Sequence, residues 1–476
     1  MPKEAKFLSG GEWRRSADKF EVKNPYNGEV VALVHRAAEK DAEFALSMAE
    51  KAFEETRRLP DYKKYRILST VAQKITELKE EFVKIIVLEA GKPIRDARVE
   101  VDRAITTFTA SAEESKRLYG EYIPLEWNEG SERRAGIIRR FPLGIILAIT
   151  PFNFPLNLVC HKVGPALASG NAIIVRPASQ TPSAALLLGK IIDEAGWPKG
   201  GISVMPSSTQ LAGKILADQR IKKLSFTGSD GVGWALKQKA WDKKVTLELG
   251  GNAGVIIHED ADLDYAVQRC VSGGFAYAGQ SCISVQRIFV HEKKHDEFAK
   301  SFIERVKKLV LGNPMDEKTD IGPMIDLPAA ERTEEWIREA VNDGAKILSG
   351  GGRTDSILEP TVLTNVKSGM KVCTQEVFAP VVTLTKYTDF DAVLKEINTS
   401  RYGLQTGVFT KDIGRIFKAF EELEVGGVII NDVPTWRSDP MPYGGVKNSG
   451  MGKEGIRFAI EEMTDMRIMV LNLRNS

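Results

Sequence analysis

From residue 143 onward, short apolar runs rich in β-branched residues alternate with helix-patterned segments, and this alternation restricts the fold more than any other feature. Candidate strands lie at 143–149, 172–175, 202–205 and 223–226, with helical segments such as 183–195 and 210–217 between them. Strands joined by crossover helices belong in a parallel sheet covered on both faces. A second series follows, with candidate strands at 255–257, 287–290 and 428–430 and helices near 261–278, 292–309 and 327–343. The two series predict two successive α/β domains of Rossmann type, with a boundary near 246. A chain of 476 residues is long for a single core and suits that division.

The flanking segments read differently. Residues 39–117 are charged and helix-patterned, with Ile67, Leu68, Val71 and Ile75 at helical spacing. Between 118 and 140, Tyr119, Tyr122 and Ile123 lead through a Glu-Gly turn into Arg133-Arg134-Ala135-Gly136-Ile137-Ile138, the pattern of an extended hairpin. Residues 467–473 alternate weakly and predict a protruding edge strand.

Charge narrows the partners. Lys and Arg total 66 against 64 Asp and Glu, a net charge of +2, so neither nucleic acid nor a membrane surface is expected. The start, Met1-Pro2-Lys3-Glu4, mixes charges and lacks the apolar core of a secretory signal. The apolar stretch 143–160 is punctuated by Pro151, Asn153, Pro155 and Asn157, which predicts a buried strand plus loop rather than a membrane helix. Four cysteines, Cys160, Cys270, Cys282 and Cys373, occur without CxxC spacing. That argues against disulfides and metal sites and for a reduced, cytoplasmic setting.

A thiol is the one group here suited to covalent chemistry on a carbonyl. Cys282 follows Gly279-Gln280-Ser281 at a turn beyond a predicted helix, where thiols ionise more readily than in a core. A buried structural cysteine is the competing reading, and it is the one expected for Cys160, Cys270 and Cys373. Cys160 beside His161 makes no pair, because adjacent residues point to different sides of a helix or strand. A thiol adding to an aldehyde creates an oxyanion that needs a donor, and the thioester formed later needs a base to activate water. Asn153, in the loop after the strand 143–149, is the candidate donor, with a turn-stabilising Asn as the alternative. Glu248, in Leu247-Glu248-Leu249-Gly250-Gly251-Asn252 at the end of a predicted strand, is the candidate base. A strand Glu pointing to solvent is its alternative. Phe226-Thr227-Gly228-Ser229-Asp230-Gly231-Val232-Gly233 follows a strand and opens a helix, which suits a phosphate at a helix amino terminus, although an ordinary Gly-rich turn reads the same way.

Taken together, these blocks resemble the aldehyde dehydrogenase superfamily along nearly the full chain. They run in the family's order: Pro151-Phe152-Asn153-Phe154-Pro155, Phe226-Thr227-Gly228-Ser229, Leu247 to Asn252, Gly279-Gln280-Ser281-Cys282, Gln375-Glu376-Val377-Phe378-Ala379-Pro380 and Pro442-Tyr443-Gly444-Gly445-Val446-Lys447-Asn448-Ser449-Gly450. The resemblance implies an aldehyde dehydrogenase-like fold: a cofactor-binding domain at 1–117 and 141–246, a catalytic domain at 247–458 and a β-hairpin oligomerisation extension at 118–140 and 459–476. It implies Cys282 as nucleophile, Glu248 as general base and Asn153 as oxyanion donor. The cofactor would be bound by Ile149, Thr150, Pro151, Phe152, Arg176, Ser179, Gly228, Ser229, Leu249, Glu376 and Phe378. Glu376 would hold the nicotinamide ribose and Phe378 would flank the nicotinamide. A homodimer or homotetramer is expected.

Departures from the family pattern carry information. Phe152 stands for a usual Trp, Ala379 for a common Gly and Gly254 for a common Pro. In Val175-Arg176-Pro177-Ala178-Ser179, Arg176 stands where many members have Lys, and Ser179 where NAD-preferring ones have Glu. A Glu there repels a 2′-phosphate, whereas Arg176 offers a fork suited to one, so NADP is expected, with NAD as the alternative. The substrate pocket is expected to draw on Phe152, Ser281, Ile283 and the stretch Asn431 to Arg437, which is similar to the lactaldehyde and phosphonoacetaldehyde dehydrogenase branches. Arg437 would anchor a hydroxyl or anionic tail of a short aldehyde, or else form an ion pair with Asp432 or Asp439. A non-phosphorylating glyceraldehyde-3-phosphate or semialdehyde dehydrogenase is the alternative within the class. A catalytically retired structural homologue, or a thiol hydrolase without cofactor, is the alternative outside it.

Overall fold

A computed structural model of the chain describes residues 3–473. Its first large sheet has eight strands, and the middle five are parallel in the order Lys244–Glu248, Ile221–Thr227, Ile145–Ile149, Ala172–Arg176 and Ile202–Val204. The strand Ile145–Ile149 is buried at every position, as a continuous apolar run covered on both faces must be. The order reverses at that strand, since its successors in sequence lie to one side and then the other. Crevices for ligands form at such switch points, beyond the carboxyl ends of the strands. Antiparallel strands Phe7–Ser9 and Gly450–Met451 extend the sheet at opposite sides. Thus a segment assigned by sequence to the second domain supplies a strand to the first sheet.

The second sheet has seven strands, in the order Lys346–Ser349, Thr361–Thr364, Val381–Tyr387, Val285–His291, Ala253–Ile257, Gln405–Phe409 and Gly427–Ile430. All pairings are parallel except that of Lys346–Ser349. Lys346–Ser349, Thr361–Thr364, Val381–Tyr387 and Gln405–Phe409 were not among the expected strands. The expected helix 261–278 stops earlier, at Leu263–Phe275, because the backbone turns left-handed just beyond it. The apolar stretch ending at Cys160 is a strand and a loop that already enters a helix, Asn157–Ala168.

The hairpin pairs Glu121–Pro124 with Arg134–Pro142, and the carboxyl-terminal strand Thr464–Asn472 pairs with the latter along its length. That strand begins before the expected 467 and leaves Met466, Ile468, Met469 and Val470 exposed. Among the described residues, no helix is long and apolar enough to cross a membrane.

The two large sheets meet end to end. Asn153, Ser229 and Glu248 lie at or just beyond the carboxyl ends of three strands of the first sheet. Asn252, Cys282 and Glu376 lie shortly before the amino ends of three strands of the second. A cavity of about 1010 Å³ opens between these two sets of loops.

Candidate active site

The turn that presents Cys282 is strained and heavily braced. Tyr277 and Ala278 hold φ of 49° and 52°, and Gly279 follows at 67°, so three successive residues are left-handed. Tyr277 donates its hydroxyl to the Ala90 carbonyl at 2.9 Å. The buried Gln280 side chain accepts from Ile325 N at 2.8 Å and donates to the Pro323 carbonyl at 3.3 Å. Backbone strain persists only where surrounding contacts hold it, and these do.

Cys282 is half-buried, with its Sγ 3.1 Å from the Tyr443 hydroxyl. Burial pushes the thiol up to about 12, against the opposing Tyr443 contact. The expected ease of ionisation is therefore corrected: a turn position is not enough, because neighbouring loops close over the sulfur. Cys160 and Cys270 are fully buried, as expected. Cys373 is only half-buried, because its short helix Lys371–Thr374 sits at the surface beside a second cavity.

Glu248 does not face solvent. It is buried, and among the described residues neither carboxylate oxygen has a hydrogen-bond partner. Burial first, and the charge of Glu454 second, hold its carboxyl well above the usual range. Asn153 is also buried and donates Nδ2 to the Gln280 carbonyl at 3.0 Å, which orients the amide against the cysteine turn. An amide nitrogen has two hydrogens, so one remains to donate.

The two glycines after Leu249 are required by close approach. A Cβ on Gly250 would fall 2.3 Å from Glu376 Oε2, and one on Gly251 would fall 2.2 Å from the Cys282 carbonyl oxygen. Gly251 N donates to Glu376 at 3.1 Å, and burial pushes that carboxyl up to about 7. Phe378 is left-handed at φ 53° and meets Phe152 edge-on, with centroids 5.9 Å apart. Ser229 caps the helix Asp230–Lys239 without a side-chain capping bond, and the buried Thr227 hydroxyl has no partner among the described residues. Gly228 N donates to the Glu248 carbonyl at 3.1 Å, tying this loop to the next strand.

The cavity thus gathers Pro151, Phe152, Asn153, Gly228, Ser229, Glu248, Leu249, Ser281, Cys282, Ile283, Glu376, Phe378 and Arg437 along one wall or another. Ile149, Thr150, Arg176 and Ser179 are not part of its lining. Ile149 and Thr150 are buried at the base of the Pro151 loop, while Arg176 and Ser179 are half-buried beyond the neighbouring strand. Arg176 donates Nε to the Ser207 carbonyl at 3.2 Å, which leaves its outer nitrogens available.

Arg437 forms neither expected ion pair. Asp432 is taken by Arg269 at 2.5 Å, and Asp439 by Arg103 at 2.8 Å and His161 at 2.7 Å. Arg437 instead lies over the Tyr443 ring, 3.6 Å from its centroid, with Nη2 3.5 Å from both Glu454 and His161 Nδ1. Its side chain is 5% exposed, and its Nε has no partner among the described residues. Lys162 Nζ donates to Glu454 at 2.7 Å and to Ser225 at 3.2 Å. Although burial works against it, the charges of Lys162, His161 and Arg437 hold Glu454 below the ordinary carboxylate range.

Sequence reasoning missed Arg103, His161, Lys162, Tyr443 and Glu454 as parts of this site. Only Tyr443 carried a signal, since it stands inside the Pro442 to Gly450 block. The others are single polar residues in helices or loops far from their partners in the chain.

The aldehyde dehydrogenase family model matches residues 13–469. The chain is 48% identical over 464 residues to the 3-sulfolactaldehyde dehydrogenase of Priestia megaterium, which covers 97% of each chain. Its structure superposes with a TM-score of 0.98 on aldehyde dehydrogenase 21 of Physcomitrella patens in complex with the reaction product succinate, at 43% identity and 100% coverage of both chains. With the glyceraldehyde-3-phosphate dehydrogenase GapN of Methanocaldococcus jannaschii, complexed with NADP, the TM-score is 0.92 at 41% identity, covering 96% of this chain and 100% of the other.

Proposed function

The chain belongs to the aldehyde dehydrogenase family, so its reaction is the NAD(P)-dependent oxidation of an aldehyde, and we propose that its substrate is a short aldehyde with an anionic or hydroxylated tail. One observation carries this reading. Arg437, a buried cation, rests on the ring of Tyr443, whose hydroxyl touches the Cys282 sulfur. A tail held by Arg437 therefore belongs to a molecule only a few atoms long. Arg103 also lines the cavity, with its charge already paired to Asp439. The sulfolactaldehyde relative and the succinate-bound neighbour act on or hold anionic molecules, which supports the reading.

In this mechanism Glu248 draws the proton from the thiol, directly or through water, and the thiolate adds to the carbonyl carbon. The free N–H of Asn153 donates to the resulting oxyanion of the thiohemiacetal. The bound dinucleotide supplies the hydride acceptor. Loss of hydride leaves a thioester on Cys282. Glu248, having passed the thiol proton on to solvent, then takes a proton from water as the hydroxide adds, and cleavage of the C–S bond frees the carboxylic acid while the leaving thiolate takes that proton back. A retained base beside the thioester favours water over a CoA thiol as the acyl acceptor.

The loops suit a dinucleotide. Ser229 leaves its hydroxyl and the following helix amino terminus open to a pyrophosphate, and the Thr227 hydroxyl lies beside it. Glu376 and Phe378 would hold the ribose and flank the nicotinamide, and Arg176 with Ser179 would favour a 2′-phosphate. NADP is the proposed preference, in keeping with the NADP-bound neighbour. Changing Arg176 to Ala should raise KM for NADP on the order of tenfold, the loss of one charged hydrogen-bonded contact, and leave NAD little changed. Better kcat/KM with NAD, unaffected by the substitution, overturns the preference.

Arg437→Ala tests the substrate. It should lower kcat/KM for glyceraldehyde, lactaldehyde or semialdehyde acids by roughly 10- to 100-fold, mostly through KM, and spare propanal. Equal losses for all of these aldehydes would assign Arg437 a structural role instead. The three-stranded sheet with its exposed Met466, Ile468 and Val470 is the proposed contact in a homodimer or homotetramer, and a cytoplasmic setting completes the reading.

A further inference from the structure

Beside the Glu376 loop lies a second cavity of about 250 Å³. It is lined by Arg287 on the strand Val285–His291, Thr385 on Val381–Tyr387, Cys373, Glu396 and Arg401, together with Gln375. Arg287 is 5% exposed and lies on a central strand, a costly place for a charge. Among the described residues its hydrogen bonds reach one acceptor, the Asn252 carbonyl, from Nε at 3.3 Å and from Nη2 at 3.2 Å. No described carboxylate is salt-bridged to it. Arg401, across the cavity, is paired with Asp230 at 3.0 Å.

We propose that this cavity is a second small-ligand site, which takes an oxyanion of the carboxylate or phosphate class on the guanidinium of Arg287. A planar guanidinium with an unused edge matches two oxygens of such an anion, and Thr385 adds a hydroxyl. Burial draws Arg287 down to about 10, so it remains a cation at neutral pH. Glu396, also on this cavity, acts on Arg287 through its charge and would oppose an incoming anion. The site is tied to the catalytic loops through Asn252. The carbonyl of Asn252 holds Arg287, while its side-chain amide donates to the Cys373 and Gln375 carbonyls at 3.1 Å and 3.0 Å, next to Glu376.

Cys373 provides a local readout, because it is half-buried on the same cavity. The full chain would be labelled with N-ethylmaleimide in the presence of inorganic phosphate or acetate, and the rate at Cys373 followed by peptide mass spectrometry. Either anion should slow labelling saturably, and which of the two acts at lower concentration identifies the ligand class. Arg287→Met should weaken this protection on the order of tenfold or more, the scale of one charged hydrogen-bonded contact. Glu396→Gln, at a half-exposed position that tolerates the change, should shift protection to lower anion concentration and decides the matter if Arg287→Met fails to fold. Arg437→Ala should leave the protection intact, separating this site from the substrate pocket. Cys373 labelling indifferent to both anions, protection undiminished in Arg287→Met, or loss of it in Arg437→Ala would each overturn the proposal.

Discussion

Cys282→Ser should reduce aldehyde-dependent formation of NADPH on the order of 10⁴-fold or more, the scale seen when a covalent nucleophile is removed. Each tenfold loss corresponds to roughly 1.4 kcal/mol of barrier, so the sulfur carries more than any single hydrogen bond in the site can. Serine differs from cysteine here by one atom and keeps a contact with Tyr443, so the folded state should change little. The measurement is nicotinamide absorbance under saturating aldehyde, alongside a thermal melt. Activity within tenfold of the unaltered enzyme would show that Cys282 is not the nucleophile, whereas an equal loss accompanied by a large fall in melting temperature would assign it to packing. Because burial raises the thiol to about 12, little thiolate exists at neutral pH without a base. Alkylation of Cys282 should therefore be slow in the free enzyme and slower still in a Glu248 variant.

Glu248→Gln should cost on the order of 10²- to 10⁴-fold in steady-state turnover, the usual worth of a positioned base. Its signature lies in the time course. If thioester hydrolysis suffers most, a single equivalent of NADPH per site appears quickly and turnover then slows, with acyl-enzyme visible by mass spectrometry. The pH dependence follows from the direction of the shift. The base form is the carboxylate, populated above a pKa that burial and Glu454 have raised, so kcat should fall as pH drops through that raised value. Glutamine cannot titrate and should flatten this acidic limb. A retained limb, or full turnover, would remove Glu248 from the base role.

Much of this site was legible because it is written in short contiguous blocks. The Leu247 to Asn252 block stood out for its Glu248, and the structure shows why its two glycines are there: the Glu376 carboxylate and the Cys282 carbonyl occupy the space a Cβ would need. Asn153 follows the strand 143–149 and Cys282 precedes the strand that contains 287–290, both visible as apolar runs, whereas Glu248 ends the alternating strand Lys244–Glu248. Arg437 was expected to anchor a substrate tail or else to pair with Asp432 or Asp439, and the structure removes the second reading. Asp432 and Asp439 are its neighbours in sequence, whereas Glu454 and His161 are its neighbours in space.

By itself, then, the sequence determined the alternation of strands and helices, the order of the loops and the kinds of group those loops carry. Hydrophobic periodicity and turn chemistry act over a few residues and can be read locally. The tertiary structure alone decided which distant groups meet and in what charge state. Tyr443 reaches Cys282 across 161 positions, and Lys162 reaches Glu454 across 292. Ionisation depends on how much water the packed loops exclude and on which charges packing brings near, and neither quantity exists until both sheets have closed around the cavity.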